Sequence, residues 1–76
     1  MQEFISYLVK NLVEKPDEVK VEVLEGVSRT LVEVSVSKED IARVIGRKGR
    51  TIDAIRTIAL DLGAKLGRRV RVEVID

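Results

Sequence analysis

The chain predicts an α+β domain of αββααβ order, in which three helices cover one face of a three-stranded sheet. Three observations lead there. Valines alternate with polar residues in three separate stretches, the period-two signature of half-buried strands. Two other stretches repeat apolar residues at steps of three and four, as helices with one buried seam do. No linker, repeat or low-complexity segment divides the 76 residues, so a single layered domain over residues 1–76 is expected.

In the first stretch Phe4, Ile5, Leu8, Val9, Leu12 and Val13 form adjacent pairs every four residues. This predicts a helix that runs to about Lys15, where Pro16 stops it. Phe4 is expected in the core, and Tyr7 at its edge with the hydroxyl toward water. Val19, Val21 and Val23 then alternate with Lys20 and Glu22, and Val32, Val34 and Val36 alternate with Glu33 and Ser35. Two strands therefore flank Glu25-Gly26-Val27-Ser28 as a hairpin. Ser37 and Asp40 have the spacing of a capping box, opening a short helix whose buried side is Ile41, Val44 and Ile45. A long helix follows, its seam made by Ile52, Ile55, Ala59, Leu62 and Leu66, with Gly63 and Gly67 weakening its end. Val70, Val72 and Val74 alternate with Arg69, Arg71 and Glu73 and complete the set as a third strand.

A chain this short is near the lower limit at which an apolar core folds without staples, and it has no cysteine to supply one. Histidine is also absent, so thiolate and imidazole metal ligands are missing and neither a metal nor a cofactor is expected. No serine stands beside a plausible base, and the carboxylates are dispersed, so no catalytic residues are assigned and an enzyme ranks last. No apolar run approaches the roughly 20 residues that span a bilayer. A soluble cytoplasmic protein without membrane contact is the expectation.

The formal net charge of +1 conceals an asymmetry. Residues 1–40 carry five basic and nine acidic side chains, residues 41–76 nine basic and four acidic ones, and no carboxylate lies between Ile41 and Ile52. A polyanion responds to that local field more than to the total. At its centre is Gly46-Arg47-Lys48-Gly49, between the short helix and the long one. Glycine lets the main chain take left-handed dihedrals and approach another backbone closely. Two free amides and the opening dipole of the long helix then favour an anion, with Arg47, Lys48 and Arg50 as adjacent cations. The competing reading is a purely structural turn.

With Val44-Ile45 before this turn and Ile52 after it, the chain resembles the KH family of RNA-binding domains, in the αββααβ arrangement called type II. Lys15-Pro16-Asp17-Glu18-Val19 and Asp53-Ala54-Ile55-Arg56-Thr57 extend the likeness to small bacterial single-domain members. The resemblance implies a groove for about four single-stranded nucleotides, with the GxxG turn on the sugar-phosphate backbone. Ile45, Gly46, Arg47, Lys48, Gly49 and Arg50 are the implied RNA-binding residues, and Ile41, Val44 and Ile52 the groove floor. Each of these apolar residues also fits plain core, Ile52 most of all. An edge of the Val32 to Val36 strand is expected to add main-chain polar groups.

The implied role is that of an RNA chaperone or post-transcriptional regulator, the alternative being a protein-interaction module on the same scaffold. Stacking rings are nearly absent, since Phe4 and Tyr7 are the only aromatic residues, which argues against domains that grip bases with aromatic side chains. At 100° per residue Leu60 lies off the seam of the long helix and should be exposed, either as an ordinary surface leucine or as a partner surface. The resemblance implies such partners: a second copy, or a larger KH-containing RNA-binding protein.

Overall fold

A computed structural model describes residues 1–75. Its elements are α1 (Gln2–Lys10), β1 (Lys20–Glu25), β2 (Arg29–Ser35), α2 (Ile41–Ile45), α3 (Arg50–Lys65) and β3 (Arg69–Ile75). Short 3-10 turns at Pro16–Glu18, Lys38–Asp40 and Arg47–Gly49 lie between them. The order is the expected αββααβ. β1 pairs antiparallel with β2 through a tight hairpin, and β3 returns parallel to β2 after the α2–α3 crossover that a parallel neighbour requires.

The valine alternation faces inward as predicted. Val21, Val32, Val34 and Val72 meet Ile5 and Val9 of α1, Val44 of α2, and Ile52, Ile55 and Ala59 of α3 in one core. Among the described residues the opposite sheet face carries no helix, which leaves Leu24, Arg29, Arg69 and Arg71 exposed there.

Four local expectations are corrected. α1 stops at Lys10, five residues early, because Asn11 closes it: the Asn11 side-chain amide donates to Tyr7 O at 2.8 Å and its main-chain N–H reaches Tyr7 O and Leu8 O. Val13 still packs against the core from the loop, so the apolar pairing continued past the helix end. Phe4 is 42% exposed and Tyr7 66%, since the buried seam of α1 is only Ile5 and Val9. Leu66 falls beyond the end of α3 and is exposed, where the chain reverses at Gly67 with φ 71°. Gly63 is a point of close approach: a Cβ there would collide with Val70 Cγ2 and lie 3.1 Å from Arg68 O.

The fourth concerns Ser37 and Asp40, which do not form a capping box. Asp40 is buried, and its carboxylate accepts the main-chain N–H groups of Glu14 and Lys15, each at 3.0 Å, and the Ser37 hydroxyl at 3.0 Å. Arg43 Nε lies 3.3 Å away. A buried carboxylate needs such partners, and here they tie the loop after α1 to the start of α2. The Glu14 amide bond holds the Asp40 carboxyl below the usual carboxylate range; burial opposes it, while the Lys15 amide, the Ser37 hydroxyl and Arg43 reinforce it.

Candidate nucleic-acid interface

α2 ends at Gly46, whose N–H closes the last turn on Ala42 O at 2.9 Å and whose dihedrals are φ 79° and ψ 170°. Side chains avoid that region. Space forbids one as well, because a Cβ at Gly46 would lie 2.6 Å from Thr51 Cβ and 2.8 Å from Thr51 N. The chain then makes one 3-10 turn through Arg47, Lys48 (φ 57°, ψ 24°) and Gly49 (φ 75°, ψ 11°) before α3 begins. At Gly49 a Cβ would meet nothing within 4 Å, so only the dihedral favours glycine there.

Two of the turn's amides are used internally: Gly49 N–H bonds Gly46 O at 3.1 Å, and Arg50 N–H bonds Arg47 O. The N–H groups of Arg47 and Lys48 precede those bonds and have no acceptor among the described residues. Their side chains and that of Arg50 are exposed and have no carboxylate within 4.0 Å among the described residues. Several other cations are paired: Arg43 with Glu14 and Asp40, Arg56 with Asp53, Arg68 with Glu25, and Arg71 with Glu73. The turn therefore presents donors and positive charge together.

Beside it lies an open groove of about 510 Å³ lined by Lys38, Ile41, Ala42, Ile45 and Gly46. Ile41 and Ile45 are half-buried and form its apolar wall. Val44 and Ile52, read as groove floor, are 0% and 4% exposed and belong to the core beneath it, which corrects that placement. Lys38 and Ala42 were missed. Their signal was helical spacing, since positions 38, 41, 42 and 45 form one stripe once the turn before α2 is counted.

The strand edge is also corrected. β2 is the central strand, paired on both sides, so its main-chain groups are taken by β1 and β3. The free edge next to α3 belongs to β3, where Arg56 Nε donates to Val72 O at 3.2 Å. Leu60, 53% exposed, borders a groove of about 410 Å³ between α3 and β3 together with Arg56, Thr57, Val70 and Val72.

Comparison with known proteins agrees with this architecture. A family model described as KhpA/KhpB, KH domain, matches residues 2–74. RNA-binding protein KhpA of Chlamydia pneumoniae is 41% identical over 76 residues, covering 100% of this chain and 97% of that protein. RNA-binding protein KhpA of Borreliella burgdorferi is 47% identical over 74 residues, covering 97% and 90%. Among solved structures, Era in complex with MgGDPNP and nucleotides 1506–1542 of 16S ribosomal RNA matches with a TM-score of 0.70 at 22% identity. That match covers 96% of this chain and 28% of Era, and it is a likeness of fold, the type II KH arrangement. By the family model and by full-length identity to these relatives, the chain belongs to the KhpA/KhpB KH-domain family.

Proposed function

We propose that the protein binds single-stranded RNA through the Gly46–Gly49 turn and acts in the cytoplasm as an RNA chaperone or post-transcriptional regulator. The observation that carries this reading is the pair of amides at Arg47 and Lys48 with no acceptor among the described residues, flanked by three cations with no carboxylate partner among them and by the Ile41–Ile45 groove wall. The amide N–H groups donate to phosphate oxygens, the cations neutralise the RNA's charge, and the aliphatic wall receives bases without stacking rings. The names of the curated relatives support RNA as the ligand. The role is that of a binding module, with no bond made or broken.

Replacing Arg47 and Lys48 together by Asp tests it. Both side chains are exposed, so the variant keeps the parent's thermal stability while losing affinity for single-stranded RNA in a fluorescence-anisotropy titration. Unchanged affinity would remove the turn from the RNA site.

Pairing with a second KH-containing protein is a further part of the proposal, and the exposure of Leu60 beside the α3–β3 groove favours it. Large exposed apolar residues next to a groove suit a protein interface. Leu60→Lys should abolish co-sedimentation with such a partner and leave RNA affinity as it was; co-sedimentation at parental levels would exclude Leu60 from the contact.

A further inference from the structure

Another group of cations lies at the end of the domain away from the glycine turn. Gly63 sits against Val70 and Arg56 Nε donates to Val72 O, so α3 runs back along β3. The turn opens α3 and the second group lies beyond its other end, 16 residues or about 24 Å along the axis. There Arg29 of β2 stands opposite Arg69 of β3 in register, on the open face of the sheet. Both are exposed, and neither has a carboxylate within 4.0 Å among the described residues. Like charges directly opposite one another destabilise a sheet, and these two arginines stand on strands about 4.8 Å apart with no internal counter-charge.

The backbone beneath them is fixed. Arg29 O accepts from Gly26 N–H at 2.7 Å and from Arg68 Nη2 at 2.9 Å. Arg68 Nε donates to Thr30 Oγ1 at 2.7 Å, and Arg69 N–H donates to Ser28 O at 3.2 Å. Arg71, about 6.6 Å further along β3, adds a third cation. Its bond to Glu73 is a surface ion pair and holds it only weakly. The three arginines border an open hollow of about 380 Å³, with Thr30, Leu31 and Val70 completing its lining.

We propose that Arg29, Arg69 and Arg71 form a second phosphate-backbone site, where RNA crosses β2 and β3 while the Gly46–Gly49 turn holds another segment. Guanidinium forks suit phosphate oxygens, and an anion between Arg29 and Arg69 cancels the repulsion the fold leaves there. Half-buried Leu31 gives a base an aliphatic rest, as Ile41 and Ile45 do beside the turn. Charge also sets the path. Glu22, Glu33 and Glu73 stand opposite one another about 13 Å along the same face, so a polyanion laid along the strands meets three carboxylates and one crossing at the arginine end avoids them. RNA is favoured over an acidic protein because a strand already held at the turn presents its remaining phosphates here at high local concentration. The inference therefore rests on the RNA reading of the turn and adds a separate site to it.

RNA length separates the two sites. A tetranucleotide fills one at a time, whereas about 20 nucleotides, some 70 Å even at the compact duplex rise of about 3.4 Å each, span both. In fluorescence anisotropy, Arg29→Gln with Arg69→Gln should leave tetranucleotide affinity within about twofold of the parent and lower affinity for the longer RNA about tenfold or more, as loss of a linked contact does. Lys10→Gln with Lys20→Gln removes the same charge from other exposed positions and should change either affinity by less than about twofold. Parental affinity of the arginine variant for the longer RNA overturns the proposal. So does an equal loss in the lysine control, which reduces the effect to bulk charge, or an equal loss with the tetranucleotide, which denies that the sites are separate.

A measurement on the parent needs no variant. On titration with the tetranucleotide, the side-chain Nε–H resonances of Arg29 and Arg69 should shift, at higher concentration than the Arg47 and Lys48 amides do. Turn amides that move while these stay fixed overturn the second site and leave the turn reading standing; if neither set moves, both fail. A hexaglutamate peptide that shifts the Arg29 and Arg69 resonances at lower concentration than the RNA would give the site to an acidic protein and overturn RNA as its ligand.

Discussion

Gly46 and Gly49 bound the same turn, yet the structure assigns them different reasons for being glycine, and alanine substitution separates the two. At Gly46 the dihedrals of φ 79° and ψ 170° are open to glycine almost alone, at about 1–3 kcal/mol for another residue. A methyl there also overlaps Thr51 Cβ at 2.6 Å and Thr51 N at 2.8 Å, and such overpacking costs a further 1–3 kcal/mol or so. Gly46→Ala should thus lose about 2–6 kcal/mol, centred on about 3–4 kcal/mol, a large share of the roughly 4–11 kcal/mol expected for 76 residues. In Tm the central value is about 12–30 °C for a domain of this size.

At Gly49 a Cβ meets nothing within 4 Å, so Gly49→Ala should lose only the left-handed penalty of about 1 kcal/mol, or about 4–8 °C. Urea unfolding of both variants measures the difference directly, provided the slope with denaturant stays constant. Thr51→Ala in the Gly46→Ala background should restore little, because it removes the hydroxyl and leaves Thr51's Cβ and N in place. Equal losses at the two glycines, or a Gly46→Ala variant within about 1 kcal/mol of the parent, would refute the close approach of Thr51.

Two further perturbations address the buried carboxylate and the cations. Asp40 has a folded pKa below its unfolded value, so the stability it supplies is present above the unfolded value of about 3.9 and is lost as pH falls through the folded one. Asp40→Asn should therefore be less stable than the parent at neutral pH and lose less on acidification, with parallel Tm–pH curves contradicting the clasp. If two to four phosphates are engaged, the logarithm of RNA affinity should fall with the logarithm of salt at a slope of roughly −1.4 to −2.8, and a slope near zero would contradict charge neutralisation by the turn.

Element order and core were legible because period two and period 3.6 are properties of the valines and of the Ile52, Ile55, Ala59 seam themselves. The end of α1 was not, because Leu12 and Val13 keep the apolar rhythm while Asn11 and the Asp40 clasp, 25 and 26 residues away from the amides it holds, decide where the chain turns. Asp40 itself was misread for the same reason: Ser37 at three residues' distance suggests a local cap, and nothing local announces the Glu14 and Lys15 amides. The position of β2 followed from topology, since alternation says which face a strand buries and nothing about which neighbours it has. The glycine turn and the exposure of Arg47, Lys48 and Arg50 could be read from composition, whereas the division of its amides into bonded and unbonded pairs required coordinates. Burial then separated Ile41 and Ile45 from Val44 and Ile52, which share one apolar pattern.

The central claim is that the main-chain N–H groups of Arg47 and Lys48 receive RNA phosphates. Heteronuclear NMR of isotope-labelled protein titrated with a short single-stranded RNA reads those amides one by one. The account predicts the largest downfield shifts at Arg47 and Lys48, smaller ones along Lys38, Ile41, Ala42 and Ile45, and little change at Gly49 and Arg50, whose amides are already bonded. Saturable binding that leaves the Arg47 and Lys48 amides unmoved, with the shifts gathered on another surface, would contradict it.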